Sequence, residues 1–319
     1  MQPLLPYRPP HGHKGTFGHV LILGGSESMP GAPALSGLAA LRSGAGLVTV
    51  ATSRPAHPIT ASFSAALMTT PLPSEHGLVA TTFEQLEPLL QRADCVAVGP
   101  GLGQSLPLQT LLFRLYREFA GALVVDADGL NNLAAAQIDW SLHAGPRILT
   151  PHPGEFRRLC PALPDVSEAA SHNSPELLEF ACHFARDNRL VLLLKGPRTL
   201  VTDGRQQHLN QTGNSGLATA GSGDVLTGII AALWAGWVGG PGRTAQTVAT
   251  SKEPGTTASA VSEPHNHPPG ESALCAAVTG AHLHGLAAEL ATRELSETSL
   301  ISTDLLAYLG PAIRQLGGR

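Results

Sequence analysis

The run Asn210-Gln-Thr-Gly-Asn-Ser-Gly-Leu-Ala-Thr-Ala-Gly-Ser-Gly-Asp224 leads straight into an apolar helical pattern. A helix N-terminus carries backbone N–H groups with no internal partner, and its dipole favours negative charge there. Glycine lets that backbone press against an anion. Gly221, Ser222 and Gly223 therefore form a candidate anion hole, and a phosphate is its natural ligand. Asp224 opens the same helix and suits two roles. It could be an N-terminal capping carboxylate. It could also be a base that takes a proton from a hydroxyl attacking the phosphate. The preceding Thr212-Gly-Asn-Ser-Gly216 tips the reading toward the base.

Four further clusters follow strand-like runs. Gly99-Pro-Gly-Leu-Gly103 is either a tight turn or a close backbone approach to a ligand at a strand's carboxyl end. Val125-Asp126-Ala-Asp128 offers two carboxylates for structural hydrogen bonds or for a metal-bridged phosphate. In Thr150-Pro-His-Pro-Gly-Glu155 two prolines fix the backbone of His152, which favours a ligand contact over a structural role. Leu194-Lys195-Gly-Pro-Arg-Thr199 ends a buried strand with a compact ammonium. Lysine is rare here: only Lys14, Lys195 and Lys252, against 17 arginines. Lys195 is a surface charge or a phosphate contact where the wide arginine fork would not fit. Lys14, in His13-Lys-Gly-Thr-Phe-Gly18, is either a second anion contact or a surface charge.

The elements that must position these residues alternate. Val20–Leu23, Leu47–Val50, Cys95–Val98, Leu123–Val125, Ile148–Leu149 and Val191–Leu194 read as buried parallel strands. Helical patterns cover about Pro33–Arg42, Leu106–Phe119, Pro175–Asp187, Asp224–Trp237, Leu274–Glu289 and Thr303–Leu316. Such alternation implies an α/β fold, a mostly parallel central sheet with helices on both faces. Residues 239–272 break the pattern. They hold no Leu, Ile, Met, Phe, Tyr or Trp, and read as a flexible surface insertion within one domain spanning 1–319, with Lys252 a solvated charge.

Composition excludes several classes. A net charge of −4 offers no basic field for nucleic acid or an anionic membrane, and 4% aromatics leaves no stacking surface. Gly (35) and Pro (26) cluster without a three-residue period, so the chain is not collagenous. Cys95, Cys160, Cys182 and Cys275 form no CxxC, which suits free thiols in a reducing cytoplasm. The first fifteen residues lack a signal peptide's apolar core, and the run Val225–Val238 is too short to span a bilayer. Three His-x-His pairs (His11/His13, His265/His267, His282/His284) lack a carboxylate or thiolate at ligand spacing. Neither a P-loop nor a dinucleotide fingerprint is present.

The ordered set of blocks resembles the ADP- or ATP-dependent NAD(P)H-hydrate dehydratases of the ribokinase-like superfamily. The blocks are His13–Gly18, Pro30–Pro33, Gly99–Gly103, Asp126–Leu130, Thr150–Glu155, Thr212–Leu217 and Gly221–Gly228, and they cover roughly residues 13 to 290. The resemblance implies a repair lyase acting on the (6S)-hydrate of NADH or NADPH. Such an enzyme phosphorylates the C6 hydroxyl with the nucleotide and then eliminates phosphate. By the same resemblance Asp224 is the base, and Ala32, Gly103, His152 and Asp224 contact the hydrate. Lys195, Gly196, Pro197, Arg198, Thr199 and Gly223 contact the nucleotide, and Mg2+ accompanies its phosphates. Bacterial members generally use ADP and release AMP. The arginine-heavy, lysine-poor composition suits a GC-rich bacterial genome, which favours ADP over ATP. The resemblance also implies a homotetramer, whose contacts the 239–272 segment could perturb. Nothing before His13 reads as the epimerase domain fused to many bacterial relatives, so a separate epimerase is expected to act on the R hydrate. The rival readings are a ribokinase-like vitamin-precursor kinase, which typically has Cys in place of Asp224, and a non-catalytic nucleotide sensor, which needs no base.

Overall fold

The computed structural model describes residues 1–161, 174–239 and 269–318. The strands are β1 (His19–Leu23), β2 (Leu47–Ser53), β3 (Met68–Leu72), β4 (Ser74–Glu75), β5 (Leu78–Val79) and β6 (Cys95–Val98). They continue with β7 (Ala122–Val125), β8 (Arg147–Leu149), β9 (Val191–Leu194), β10 (Leu200–Thr202) and β11 (Gln207–Leu209). The helices are α1 (Gly31–Arg42), α2 (His57–Ser62), α3 (Phe83–Leu90), α4 (Leu106–Glu118) and α5 (Asp128–Ala135). After them come α6 (Pro153–Leu159), α7 (Pro175–Asp187), α8 (Ser222–Val238), α9 (Pro269–Ala291) and α10 (Ser302–Gln315).

Nine strands form one sheet in the order β11-β10-β9-β8-β7-β6-β1-β2-β3. From β3 to β9 all pairings are parallel, and only the β9-β10-β11 edge is antiparallel. The continuous apolar runs have the reason the sequence suggests. Alternate residues of each strand enter different helical layers. Val20, Ile22, Ala97, Val124 and Leu193 pack with α1, α8, α9 and α10. Leu21, Leu23, Val98, Val125 and Leu194 pack with α3 to α7. Helices cover both faces, as expected.

One close contact sets the position of α8. A Cβ on Gly228 would lie 2.1 Å from the carbonyl oxygen of Ser36, so only glycine lets α1 and α8 approach this far. The side chain of Ser36 donates to the carbonyl of Asp224 at 2.8 Å, which pins the first turn of α8 to α1.

The expected strands and helices all appear, with ends shifted by a few residues. The short half-exposed strands β3 and β11 and the hairpin β4–β5 were not anticipated. Most of the expected 239–272 insertion, with Lys252, lies outside the described residues. Its last residues belong instead to α9, where Ser272 is buried and accepts from Nε1 of Trp234 at 3.2 Å. No helix among the described residues is long and apolar enough to cross a membrane.

Candidate active site

The glycine-rich and charged loops all leave the same edge of the sheet. Gly24 and Gly25 follow β1, Gly99–Gly103 follows β6, Asp126–Asp128 follows β7, Thr150–His152 follows β8 and Lys195 follows β9. In a parallel sheet this carboxyl edge is where ligands bind. The N-terminus of α8 meets them there: a Cβ on Gly223 would lie 3.5 Å from Lys195 Nζ and 3.8 Å from Asp126 Oδ2.

Lys195 and Asp126 are the electrostatic centre. Lys195 Nζ lies 2.7 Å from Asp126 Oδ1 and 3.7 Å from Glu155 Oε2. The hydroxyl of Thr227, one turn into α8, donates to the other Asp126 oxygen at 2.7 Å. Burial pulls the Lys195 ammonium down, but Asp126, Glu155 and Asp224 outweigh it and hold the ammonium above its usual value. Lys195 is thus a charge locked among carboxylates beside the N-terminus of α8. Asp126 is fully engaged by its two partners.

Asp224 is not a cap. The N-cap of α8 is Gly221, at φ +83°, and no side chain caps the helix. Asp224 lies three residues further on, and desolvation raises its carboxyl from the usual 3.8 to about 7. The neighbouring Asp126 and Asp128 charges raise it too, and Lys195 opposes them. A carboxylate near 7 is poised to accept a proton at neutral pH. Gly221 itself has no room for a side chain: a Cβ would meet Leu35 Cδ1 and Ser302 Oγ, each at 2.7 Å.

His152 turns out to cap α6. Its Nδ1 accepts from the N–H groups of Gly154 (3.0 Å) and Glu155 (3.4 Å), while Glu155 accepts from the His152 N–H at 2.8 Å. Burial lowers the imidazole's pKa against the pull of Glu155. A neutral ring that accepts at Nδ1 carries its proton on Nε2. That N–H faces Glu155 Oε1 at 3.5 Å, on a half-exposed side chain.

Ala32 and Gly103 flank the remaining wall. A Cβ on Gly101 would lie 3.0 Å from Ala32 Cβ, which places the start of α1 on the Gly99–Gly103 loop. Gly103 has φ +74°, and its N–H donates to Asp128 Oδ2 at 2.8 Å. Asn132 donates to its carbonyl at 2.8 Å. The two carboxylates of the Asp126–Asp128 pair therefore serve structural hydrogen bonds. Gly196, Pro197, Arg198 and Thr199 make the turn from β9 to β10, closed by Thr199 Oγ1 donating to Gly196 O at 3.2 Å.

Lys14 is a correction. It precedes β1, at the opposite edge of the sheet, where a Cβ on Gly18 would lie 2.6 Å from the Ala235 carbonyl carbon. Ala235 lies 13 residues beyond Ser222 on α8, or roughly 20 Å at about 1.5 Å per residue. Lys14 cannot share an anion with Gly221–Gly223.

Three residues that contact the site were not singled out for it from the sequence. Glu155 was visible in principle, since its spacing from His152 is that of a capping box. Thr227 lies one turn after Asp224 and could have been placed on the same helix. His284 stood out in the sequence only as part of a His-x-His pair, and its partner Ser222 lies 62 residues away. Among the described residues no three His, Cys, Asp or Glu side chains gather as a metal site.

A family model described as NAD(P)H-hydrate dehydratase matches residues 20–310. The chain is 39% identical to the bifunctional NAD(P)H-hydrate repair enzyme Nnr of Moorella thermoacetica, over 98% of this chain and 52% of that protein. It thus spans about half the length of the curated relatives it matches first. The structure is similar to that of the ADP/ATP-dependent NAD(P)H-hydrate dehydratase of Bacillus subtilis, co-crystallised with ATP and Mg2+. The TM-score is 0.71 at 28% identity, covering 98% of this chain and 94% of that one. A ribokinase-like superfamily protein of Enterococcus faecalis shares the fold, with a TM-score of 0.68 at 23% identity over 98% of this chain and 92% of that one.

Proposed function

Because the chain belongs to the NAD(P)H-hydrate dehydratase family, we propose that it regenerates NADH or NADPH from the (6S)-hydrate with ADP as phosphoryl donor. The observation that carries this reading is Asp224. A carboxyl raised to about 7 sits in the first turn of α8, whose N-terminus no side chain caps, although the Ser222 N–H donates to the Thr219 carbonyl at 3.3 Å. The N-terminal end of a helix suits a moving phosphoryl group, and the adjacent base suits the hydroxyl that attacks it.

Hydroxide is a poor leaving group, so the hydroxyl must first be converted. Asp224 takes the C6 hydroxyl proton as the oxygen bonds to the terminal phosphorus of ADP, and AMP leaves. The N–H groups of Gly221–Gly223 face the charge that develops on the transferred group. The ring nitrogen's lone pair then expels phosphate from C6, and a proton is lost from the adjacent ring carbon, which restores the dihydronicotinamide. Ala32, Gly103 and the Nε2–H of His152 would border the hydrate. Lys195–Thr199 and Gly223 would border the nucleotide. Lys195, already tied to Asp126 and Glu155, would hold the β9 loop to the N-terminus of α8. Mg2+ would offset the phosphate charge when bound with the nucleotide. The family's homotetramer, a cytoplasmic location and an epimerase acting upstream on the R hydrate belong to the same proposal.

The test is product stoichiometry. One AMP and one phosphate should appear for each dihydronicotinamide regenerated. A stable phosphorylated product without dihydronicotinamide would favour the vitamin-precursor kinase reading instead.

A further inference from the structure

We propose that His284, on α9, is a positioning residue for the anion hole, holding the first turn of α8 through its hydrogen bond to Ser222. The proposal rests on reading that turn as the phosphate site. Both side chains are buried, His284 at 8% and Ser222 at 6% exposure, and His284 Nε2 lies 3.0 Å from Ser222 Oγ. A histidine in an otherwise alanine- and leucine-rich helix face is a costly way to fill a core, where an aliphatic side chain would do. It is tolerated only because its ring is partnered. Burial pushes its pKa down to about 4, so the ring stays neutral and the bond does not titrate in the working pH range.

The C-terminal half of α9 and the residue after it hold the loop that enters the anion hole. Thr212 Oγ1 donates to the His282 carbonyl at 2.9 Å, and the Gly213 N–H to Glu289 Oε1 at 2.8 Å. Asn214 Nδ2 donates to Thr292 Oγ1 at 2.8 Å. Gly285 admits Thr212 so closely that a Cβ there would lie 2.3 Å from its Oγ1. These contacts fix Thr212–Gly216. His284 is the contact that reaches the hole itself. Ser222 is the first residue of α8, so a change in its position is passed to the Gly223 N–H and to Asp224 in the same turn. Displacement of such groups by about 1 Å costs on the order of a hundredfold in rate.

The test compares His284→Ala, His284→Gln, Ser222→Ala and the His284→Ala/Ser222→Ala double variant. Thr279→Val is the control. Thr279 is a buried hydroxyl on the same helix that binds Leu4 at the N-terminal segment, away from the site. His284→Ala should lower kcat about tenfold or more with little change in the KM for ADP, and His284→Gln, which can restore the bond, should recover most of it. The double variant should be no worse than the worse single one. Thr279→Val should lose thermal stability and keep kcat. Hydrogen exchange of the peptide 219–226 needs no turnover and should quicken in His284→Ala, not in Thr279→Val. Normal exchange and normal kcat in His284→Ala would overturn the proposal. Absent turnover in the wild-type protein would instead overturn the dehydratase reading, and the exchange result would still decide the role of His284.

Discussion

At the residue scale the account turns on how the protein perturbs one carboxyl group. Asp224 is raised to about 7 by desolvation and by its acidic neighbours. If it is the base, kcat/KM should rise with pH through about 7, and Asp224→Asn should lose turnover by on the order of a hundredfold or more while still binding nucleotide. A pH–rate profile with titration calorimetry checks both. The same shift has a stability consequence. A carboxyl raised in the folded state contributes stability below its unfolded value near 3.8, and that contribution is lost as pH rises through about 7. Asp224→Asn should therefore raise Tm by roughly 5–10 °C at pH 8.5 and change it little near pH 4. Calorimetric scans at the two pH values would show it. Lys195→Arg tests steric fit. Nζ already lies 3.5 Å from where a Gly223 Cβ would be, so a guanidinium should displace the phosphate loop and weaken ADP binding about tenfold. Unchanged affinity would remove Lys195 from the nucleotide site. Asp224 and Lys195 were legible because glycine clusters and strand ends mark them locally. The locking of Lys195 between Asp126 and Glu155 was not, since its partners lie on the loop after β7 and in the first turn of α6.

At the element scale, local signals located the long helices and buried strands well. Their hydrophobic patterns are set by neighbours that also dictate the fold. The edge strands β3 and β11 are short and half solvated, so they carry little apolar pattern to read. The meaning of Arg147 was also hidden. It is fully buried, and its guanidinium donates to the carbonyls of Tyr116, Phe119, Gly121 and Pro146 at the end of α4. Burial lowers its pKa to about 10, still charged at neutral pH. Arg147→Met would take the guanidinium away from the Tyr116, Phe119 and Gly121 carbonyls and should cost about 3 kcal/mol, seen in denaturant melts, with ADP affinity unaltered. Gly221→Ala should act where α8 begins. The added Cβ meets Leu35 and Ser302 in a left-handed conformation. Activity should fall more steeply than Tm, because the shifted turn carries the anion hole.

At the scale of the whole molecule, one parallel sheet gathers loops from β1, β6, β7, β8 and β9 on a single edge and sets the N-terminus of α8 against them. Dispersed motifs converge there because strand order, not sequence order, decides adjacency. That is also why Lys14, inside the His13–Gly18 block, falls at the far edge. The most direct measurement is the return of dihydronicotinamide absorbance when the purified (6S)-hydrate is incubated with this protein and ADP, ATP or no nucleotide. Recovery with ADP, slower recovery with ATP and none without nucleotide is the predicted result. Absence of recovery with either nucleotide would contradict the proposed function.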